Sequence, residues 1–187
     1  MSFFDKEKNV EEYIKMTEGF DGRDLINKLI QYLPQGSTIL EIGMGPGHDL
    51  NILNTHYQAT GSDLSQLFIE RYKALHPTVD LMKLDAVTLD TKNLYQGLYS
   101  NKVLHHLTKN ELNKSLVRQT EILDKNGIAL HSFWHGDKEK YIDDLRFVYY
   151  TFDDLQSLIP AGFEIVEHFL YKEIEDNDSI CLILKKS

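Results

Sequence analysis

Eight consecutive residues, Glu41-Ile42-Gly43-Met44-Gly45-Pro46-Gly47-His48, place glycines at alternate positions directly after a short apolar run. Glycines so spaced let the backbone turn sharply and let a ligand approach with no Cβ atoms in the way. Taken alone, the segment reads equally well as a glycine turn that binds nothing. Two further carboxylates stand at comparable places. Asp63 closes Gly61-Ser62-Asp63 and is followed by Leu64, and Asp85 is followed by Ala86. A carboxylate at the first position can accept hydrogen bonds from both hydroxyls of a ribose. At the second it can accept from an adenine amino group, while the small alanine admits the ring. Either acid by itself reads as a helix cap or a solvated loop charge. Such features at three successive strand ends point to a bound nucleoside.

A second set of residues has the chemistry to move a proton or to wall off an acceptor. His105 and His106 follow the fourth apolar segment, and histidine is the natural base near neutral pH. The alternative is that they shape the loop or cap the next helix. His131, Trp134 and His135 fall at or beyond the end of the fifth segment, on what is expected to be the same rim. Trp134 is a candidate for an apolar or cation-binding wall, with ordinary packing as the alternative. His131 and His135 imitate a metal-binding pair four residues apart. In a strand that spacing separates them by ~13 Å, so no metal site is expected.

These groups need elements to hold them. Val10, Tyr13, Ile14 and Thr17 share one helical face, as do Leu25, Ile26, Leu29, Ile30 and Leu33, with Asp21 as an N-cap. Pro34 and Gly36 end the second helix. Strands are expected at Thr38 to Ile42, Tyr57 to Ser62, Val79 to Leu84, Leu98 to Val103 and Ile128 to Trp134. Helices are expected at Asp49 to Asn54, after Ser65, and from Thr108 to about Lys125, where Thr108 and Glu111 form a capping box. Asn126-Gly127 suits the turn that follows. Thr151 and Asp154 open another helix, closed by Gly162. Phe163 to Tyr171 and Ser179 to Leu184 form a terminal hairpin. The order is βα five times, then αβ, then β. It implies an α/β, doubly wound, mostly parallel and Rossmann-like sheet with helices on both faces.

Together these motifs resemble the class I S-adenosylmethionine-dependent methyltransferases, in particular the broad group acting on small molecules. The family's acid-x-Gly-x-Gly-x-Gly motif matches Glu41 to Gly47, with Glu41, Gly43, Gly45 and Gly47 in the motif positions. Its ribose-binding acid matches Asp63, beside Leu64, and its Asp-Ala pair matches Asp85-Ala86. Its fourth-strand motif looks like Ser100-Asn101-Lys102-Val103-Leu104-His105-His106-Leu107, which brings Asn101 to the cofactor. The resemblance implies a seven-stranded sheet of order 3-2-1-4-5-7-6 with strand seven antiparallel. It implies S-adenosylmethionine as cofactor, and a helical cap over it from residues 1–35 on a core of 36–187, all in one domain. Tyr13 in that cap is a candidate to face the cofactor or acceptor, with core packing as the alternative. The family builds its acceptor lid between strand five and the next helix, here 136–150; the alternative there is a solvated loop. Gln96 and Lys125-Asn126-Gly127 depart from the family pattern without touching the cofactor positions.

Composition narrows the partners. The net charge is −9, and no run of Lys or Arg stands out, so no nucleic-acid partner is expected. No apolar run approaches the ~20 residues of a membrane span, and the first residues lack a signal-peptide pattern. Cys181 is the only cysteine, which excludes an intramolecular disulfide. A cytoplasmic enzyme with a small-molecule acceptor is expected; the acceptor and the oligomeric state are not legible. Two rivals stand. A nicotinamide-dependent oxidoreductase would put glycine or alanine at His48, and Asp63 does not discriminate against it. A non-catalytic cofactor-binding module would share every motif, because methyl transfer needs no obligatory catalytic residue.

Overall fold

The structure, a computed structural model, describes residues 3–143 and 145–187. A 3-10 turn at Phe3–Asp5 leads into helix α1 (Glu7–Met16), and α2 (Arg23–Leu29) follows. Gly22 caps α2 in place of Asp21, whose carboxylate accepts from the Arg23 amide in a local turn. Then come β1 (Thr38–Ile42), α3 (His48–His56), β2 (Gln58–Asp63), α4 (Gln66–Leu75), β3 (Asp80–Lys83), β4 (Tyr95–Asn101), α5 (Lys109–Ile122) and β5 (Leu123–His135). The expected alternation breaks between β3 and β4, where the chain crosses without a regular helix and buries Leu89.

Thr108 opens α5 through a reciprocal capping box with Glu111, as its sequence predicts. The helix stops at Ile122 instead of near Lys125. Leu123 is buried opposite Tyr95 and already belongs to β5, and Asn126 takes its left-handed φ of 63° within that strand. The bulge between Tyr95 and Gly97 absorbs the shift in register. Helix α6 (Phe152–Leu158), boxed by Thr151 and Asp154, ends before Pro160 and short of Gly162. The residue preceding proline, Ile159, is driven out of the helical region to ψ 119°.

Strands β3, β2, β1, β4 and β5 run parallel in that order. β9 (Ser179–Lys186) pairs antiparallel with β5, and β8 (Phe163–Tyr171) pairs antiparallel with β9. The order 3-2-1-4-5-7-6 is therefore present, with β9 as the antiparallel seventh strand. Two strands are added to it, making nine among the described residues. β6 (Glu139–Ile142) and β7 (Leu145–Tyr150) occupy the stretch expected as a lid or loop. β7 joins the tip of β5 in parallel, pairing Trp134 with Tyr149 and His135 with Tyr150. Burial of Val148 and Tyr150 explains why this segment is structured. Among the described residues, no helix is long and apolar enough to cross a membrane.

Side chains alternate across the sheet and build a core on each face. Ile39 joins Leu25, Ile26, Leu29, Leu50 and Leu53 on the α2–α3 face. Leu40 and Ile42 join Leu112, Leu116 and Leu155 on the α5–α6 face. Each such side chain, fully buried, is worth ~1.5–3 kcal/mol. The same alternation decides where polar residues go. Glu41 shares the face of Ile39, and His131 shares the α5 face with Ala129 and Phe133. Trp134 lies on the opposite face with Leu130.

Candidate active site

The glycine turn leaves the carboxyl end of β1. Gly43, Gly45 and Gly47 all have left-handed φ, at 74°, 50° and 85°. The amides of Gly43 and Met44 both donate to Ser62 O at 2.8 Å, which ties the turn to β2. A Cβ on Gly43 would lie 2.5 Å from Val103, and one on Gly47 would lie 2.2 Å from the Tyr72 ring. At Gly45 the nearest atom is Tyr13 Cε1 at 3.6 Å, so this is the point where the backbone stays approachable.

Carboxylates surround that point. Asp63 accepts from the Gly45 amide at 2.9 Å and from the Ser65 amide at 2.8 Å. Burial raises its pKa, and those backbone donors oppose the rise. Glu41 is 3% exposed and its Oε2 has no partner among the described residues. Burial raises its pKa well above the usual range, and Asp49 and Asp63 add to the effect. Asp49 on α3 accepts from the Gly22 amide at 2.6 Å, Tyr99 Oη at 2.7 Å and Asn101 Nδ2 at 3.0 Å. Asp49 was not singled out in the sequence, where an acid in a helix's first turn reads as an ordinary dipole partner. Its signal is that the helix's inner face is otherwise apolar.

Tyr13 covers the turn. Its ring packs edge-on against Phe4 and Phe68, and burial, then Asp63, Asp49 and Glu173, push its pKa up to about 12. The N-terminal segment is fastened there by Ser65, whose hydroxyl donates to Phe4 O instead of capping α4. Asp85 accepts from the Val87 amide at 2.7 Å, and Ala86 O accepts from Ser115. Leu64 is exposed. Asn101 is held on both sides, donating to Asp49 and accepting from Ser132.

The three rim residues separate. His131 does not line the rim. It is fully buried, bonded through Nδ1 to Ser100 Oγ and through Nε2 to Gln119 Oε1, each at 2.8 Å. Burial lowers its pKa to about 3. The parity of β5 places it under α5. His135 lies beyond, with Nδ1 on Asn177 O at 3.0 Å. Trp134 meets a cation of the chain itself, the Lys102 ammonium. Lys102 was missed in the sequence because a lysine after a strand normally reaches solvent. Its left-handed φ of 55° turns it inward, to Phe133 O, Ser179 Oγ and the Glu173 carboxylate.

His105 and His106 form a 3-10 turn after β4, with ring centres 4.0 Å apart. His106 Nδ1 donates to Arg146 O at 2.6 Å, which leaves Nε2 with the lone pair. Burial lowers its pKa, and that hydrogen bond opposes the shift. His105 is enclosed, and burial, reinforced by His106 and Lys102, holds its pKa well below the ordinary value. A broad groove of about 680 Å³ opens elsewhere, at the amino ends of β1 to β4 beside Thr38, Gln58, Asp80 and Tyr95. Ligands of open α/β sheets bind at the opposite edge.

Fold and glycine turn together define the class I methyltransferase architecture, a Rossmann-like sheet closed by an antiparallel strand. Residues 39–127 match the methyltransferase domain family. The chain is 28% identical over 112 residues to the tRNA (carboxymethyluridine(34)-5-O)-methyltransferase of Saccharomyces cerevisiae, covering 59% of this chain and 40% of that protein. It thus spans less than half the length of this curated relative. A methyltransferase structure from Clostridium acetobutylicum superposes with a TM-score of 0.78 at 14% identity, over 96% of this chain and 98% of that one. The amino pentose methyltransferase CalS10 of Micromonospora echinaspora superposes with 0.77 at 12% identity, over 95% and 97%. The chain thus has the fold of the class I S-adenosylmethionine-dependent methyltransferases.

Proposed function

We propose that the chain binds S-adenosylmethionine at the carboxyl edge of β1 to β4 and transfers its methyl group to a small-molecule acceptor by in-line displacement. The observation that carries this reading is the charge of the site. Glu41, Asp49 and Asp63 gather at one glycine turn, and the donors that meet Asp49 and Asp63 are neutral amides, a phenol and a carboxamide. Such a site suits a ligand that brings a sulfonium and an ammonium. A nicotinamide dinucleotide brings a diphosphate, which these carboxylates would repel.

Bound there, S-adenosylmethionine supplies a methyl group already activated on sulfur. The residues bind, orient and exclude water. Asp63 retains lone pairs for the ribose hydroxyls after its two backbone bonds. Asp85 is assigned the adenine amino group beside Ala86 and Leu64. Gly43, Gly45, Gly47 and Asn101 line the methionine end, under Tyr13. His106, with its Nε2 lone pair, and His105 are the candidates to take the acceptor's proton. A small acceptor fits the chain's net charge of −9 and lack of basic runs. CalS10, which is similar in fold, acts on an amino pentose.

Titration calorimetry with S-adenosylmethionine and with NAD tests the reading. Saturable heat is expected with the first and none with the second, and the converse would end it. Asp63→Ala is expected to remove two charge-assisted hydrogen bonds to the ligand, worth ~1.5–3 kcal/mol each, and to weaken binding severely. Unchanged affinity would take Asp63 out of the site.

A further inference from the structure

We infer that the acceptor is a flat, uncharged ring carrying a hydroxyl or ring N–H, and that it binds in the place now held by the Phe147 side chain, against His105. This rests on the methyl-transfer reading above and narrows its acceptor. His105 is 1% exposed, and neither ring nitrogen has a hydrogen-bond partner among the described residues. Its neighbours are other rings. Phe147 stacks on it at 5.3 Å and 23°, His106 lies at 4.0 Å, and Trp134 stands edge-on at 6.4 Å. A neutral imidazole has one N–H and one lone pair, and burying both unmet is costly. Phe147 supplies the stack and no hydrogen bond. A ring there that tips its edge towards the imidazole plane would bring a hydroxyl or N–H to one of those nitrogens.

Charge argues for a neutral acceptor. The Lys102 ammonium is engaged by Phe133 O, Ser179 and Glu173. The Arg146 guanidinium, one residue from Phe147, turns to Tyr141 Oη and Glu139. Lys102 and Arg146 are therefore engaged within the protein, and the ammonium groups of Lys138 and Lys140 lie over the Tyr149 ring.

Phe147 is also weakly placed. β7 pairs with β5 only at Tyr149 and Tyr150, so the ladder ends before Phe147. Its own ladder partner is Lys140 on β6, a strand whose residues are all exposed. The buried residues of β7, Val148 and Tyr150, stay in the core when the Phe147 ring leaves. The slot adjoins the glycine turn, because Val103, two residues before His105, packs against Gly43.

Trp134 is the only tryptophan in the chain and reports on this slot directly. The test titrates phenol, toluene and cyclohexanol into the full chain with S-adenosylmethionine present, exciting Trp134 selectively. Phenol has both ring and hydroxyl, and each of the others lacks one. Phenol is expected to bind about fivefold or more tighter than either, the size of one buried hydrogen bond. Phe147→Ala should tighten phenol binding by about threefold or more by vacating the slot. His105→Phe should abolish the difference between phenol and toluene. Phenol binding no better than toluene, a difference that persists in His105→Phe, or no gain in Phe147→Ala would each overturn the inference. Phe147→Leu is run in parallel, and is read in place of Phe147→Ala if that variant loses its cooperative melt. Calorimetry with S-adenosylmethionine on the same samples separates the two ideas: wild type that fails to bind it sinks the methyl-transfer reading, while the Trp134 titration still decides the slot.

Discussion

The Lys102 ammonium lies 3.7 Å from the centre of the Trp134 ring. A wall expected to receive the cation of a ligand is filled by the chain's own side chain. Burial lowers the Lys102 pKa to about 8, with Glu173 and Asp178 opposing the shift. The unfolded chain, with a lysine pKa of about 10.4, binds more protons between those values. Stability should therefore rise with pH from about 8 to about 10.4, by up to ~1.4 kcal/mol per unit from this residue. Lys102→Met should lose that component. Urea unfolding at about pH 7.5 and about pH 9.5 measures it, and parallel pH slopes in the two proteins would reject the assignment.

The glycines of the turn should differ in what they cost. Gly47→Ala puts a Cβ 2.2 Å from a Tyr72 ring that is anchored by Asn51 and stacked on His76, so relief requires the ring to move. We expect a loss of about 3 kcal/mol or more. Gly45→Ala meets only Tyr13 at 3.6 Å and mainly bears the strain of its φ, ~1–2 kcal/mol. Its methyl group stands where the ligand approaches, so S-adenosylmethionine affinity should fall more than stability. Thermal melts and calorimetry on the pair check this ordering, and equal melts would contradict it.

Local signals were legible in the sequence, and those that depend on which way a side chain turns were not. The glycine turn and the Thr108–Glu111 and Thr151–Asp154 boxes are read from a few adjacent residues. Pattern also gave the closing hairpin and, through the resemblance, the strand order. By contrast, β6 and β7 arise because Val148 and Tyr150 find a core that the charged residues before them conceal. His131 was expected on the rim because it is near a strand end; counting alternate residues from Ala129 would have put it under α5. Lys102 depends on a left-handed residue after β4, and Asp49 on three donors from distant segments. The first leaves no mark in spacing, and the second only an acid on an otherwise apolar helix face.

His131 supplies an acid-sensitive element. Its folded pKa of about 3 lies below the unfolded value of about 6.5. The unfolded chain therefore binds more protons between them, and stability is lost as pH falls from about 6.5 towards about 3, at up to ~1.4 kcal/mol per unit. His131→Gln, with no proton to gain, should flatten that part of the acid-unfolding curve. Because the residue faces Ser100 and Gln119, affinity for S-adenosylmethionine should be unchanged. An acid limb identical to wild type would show that His131 does not set it.

Glu41 should trade stability against binding. Its buried Oε2 has no partner among the described residues, and burial, then Asp49 and Asp63, hold its pKa well above the carboxylate range. The folded chain thus holds a proton that the unfolded chain releases above about pH 4.3, so this residue costs stability as pH rises through that range. Glu41→Gln keeps the shape and removes the ionisation. Without ligand at neutral pH it should be more stable than wild type, by about 1–3 kcal/mol. With S-adenosylmethionine that advantage should shrink by about 1.4 kcal/mol or more, because the cationic ligand draws off the Glu41 proton to pair with a carboxylate that the variant lacks, and the variant should bind about tenfold or more weakly. Melting both proteins with and without the ligand reads the two effects in one experiment. A variant that melts higher and binds as tightly as wild type would mean that Glu41 is buried for packing alone, and that the charge of this site is carried by Asp49 and Asp63.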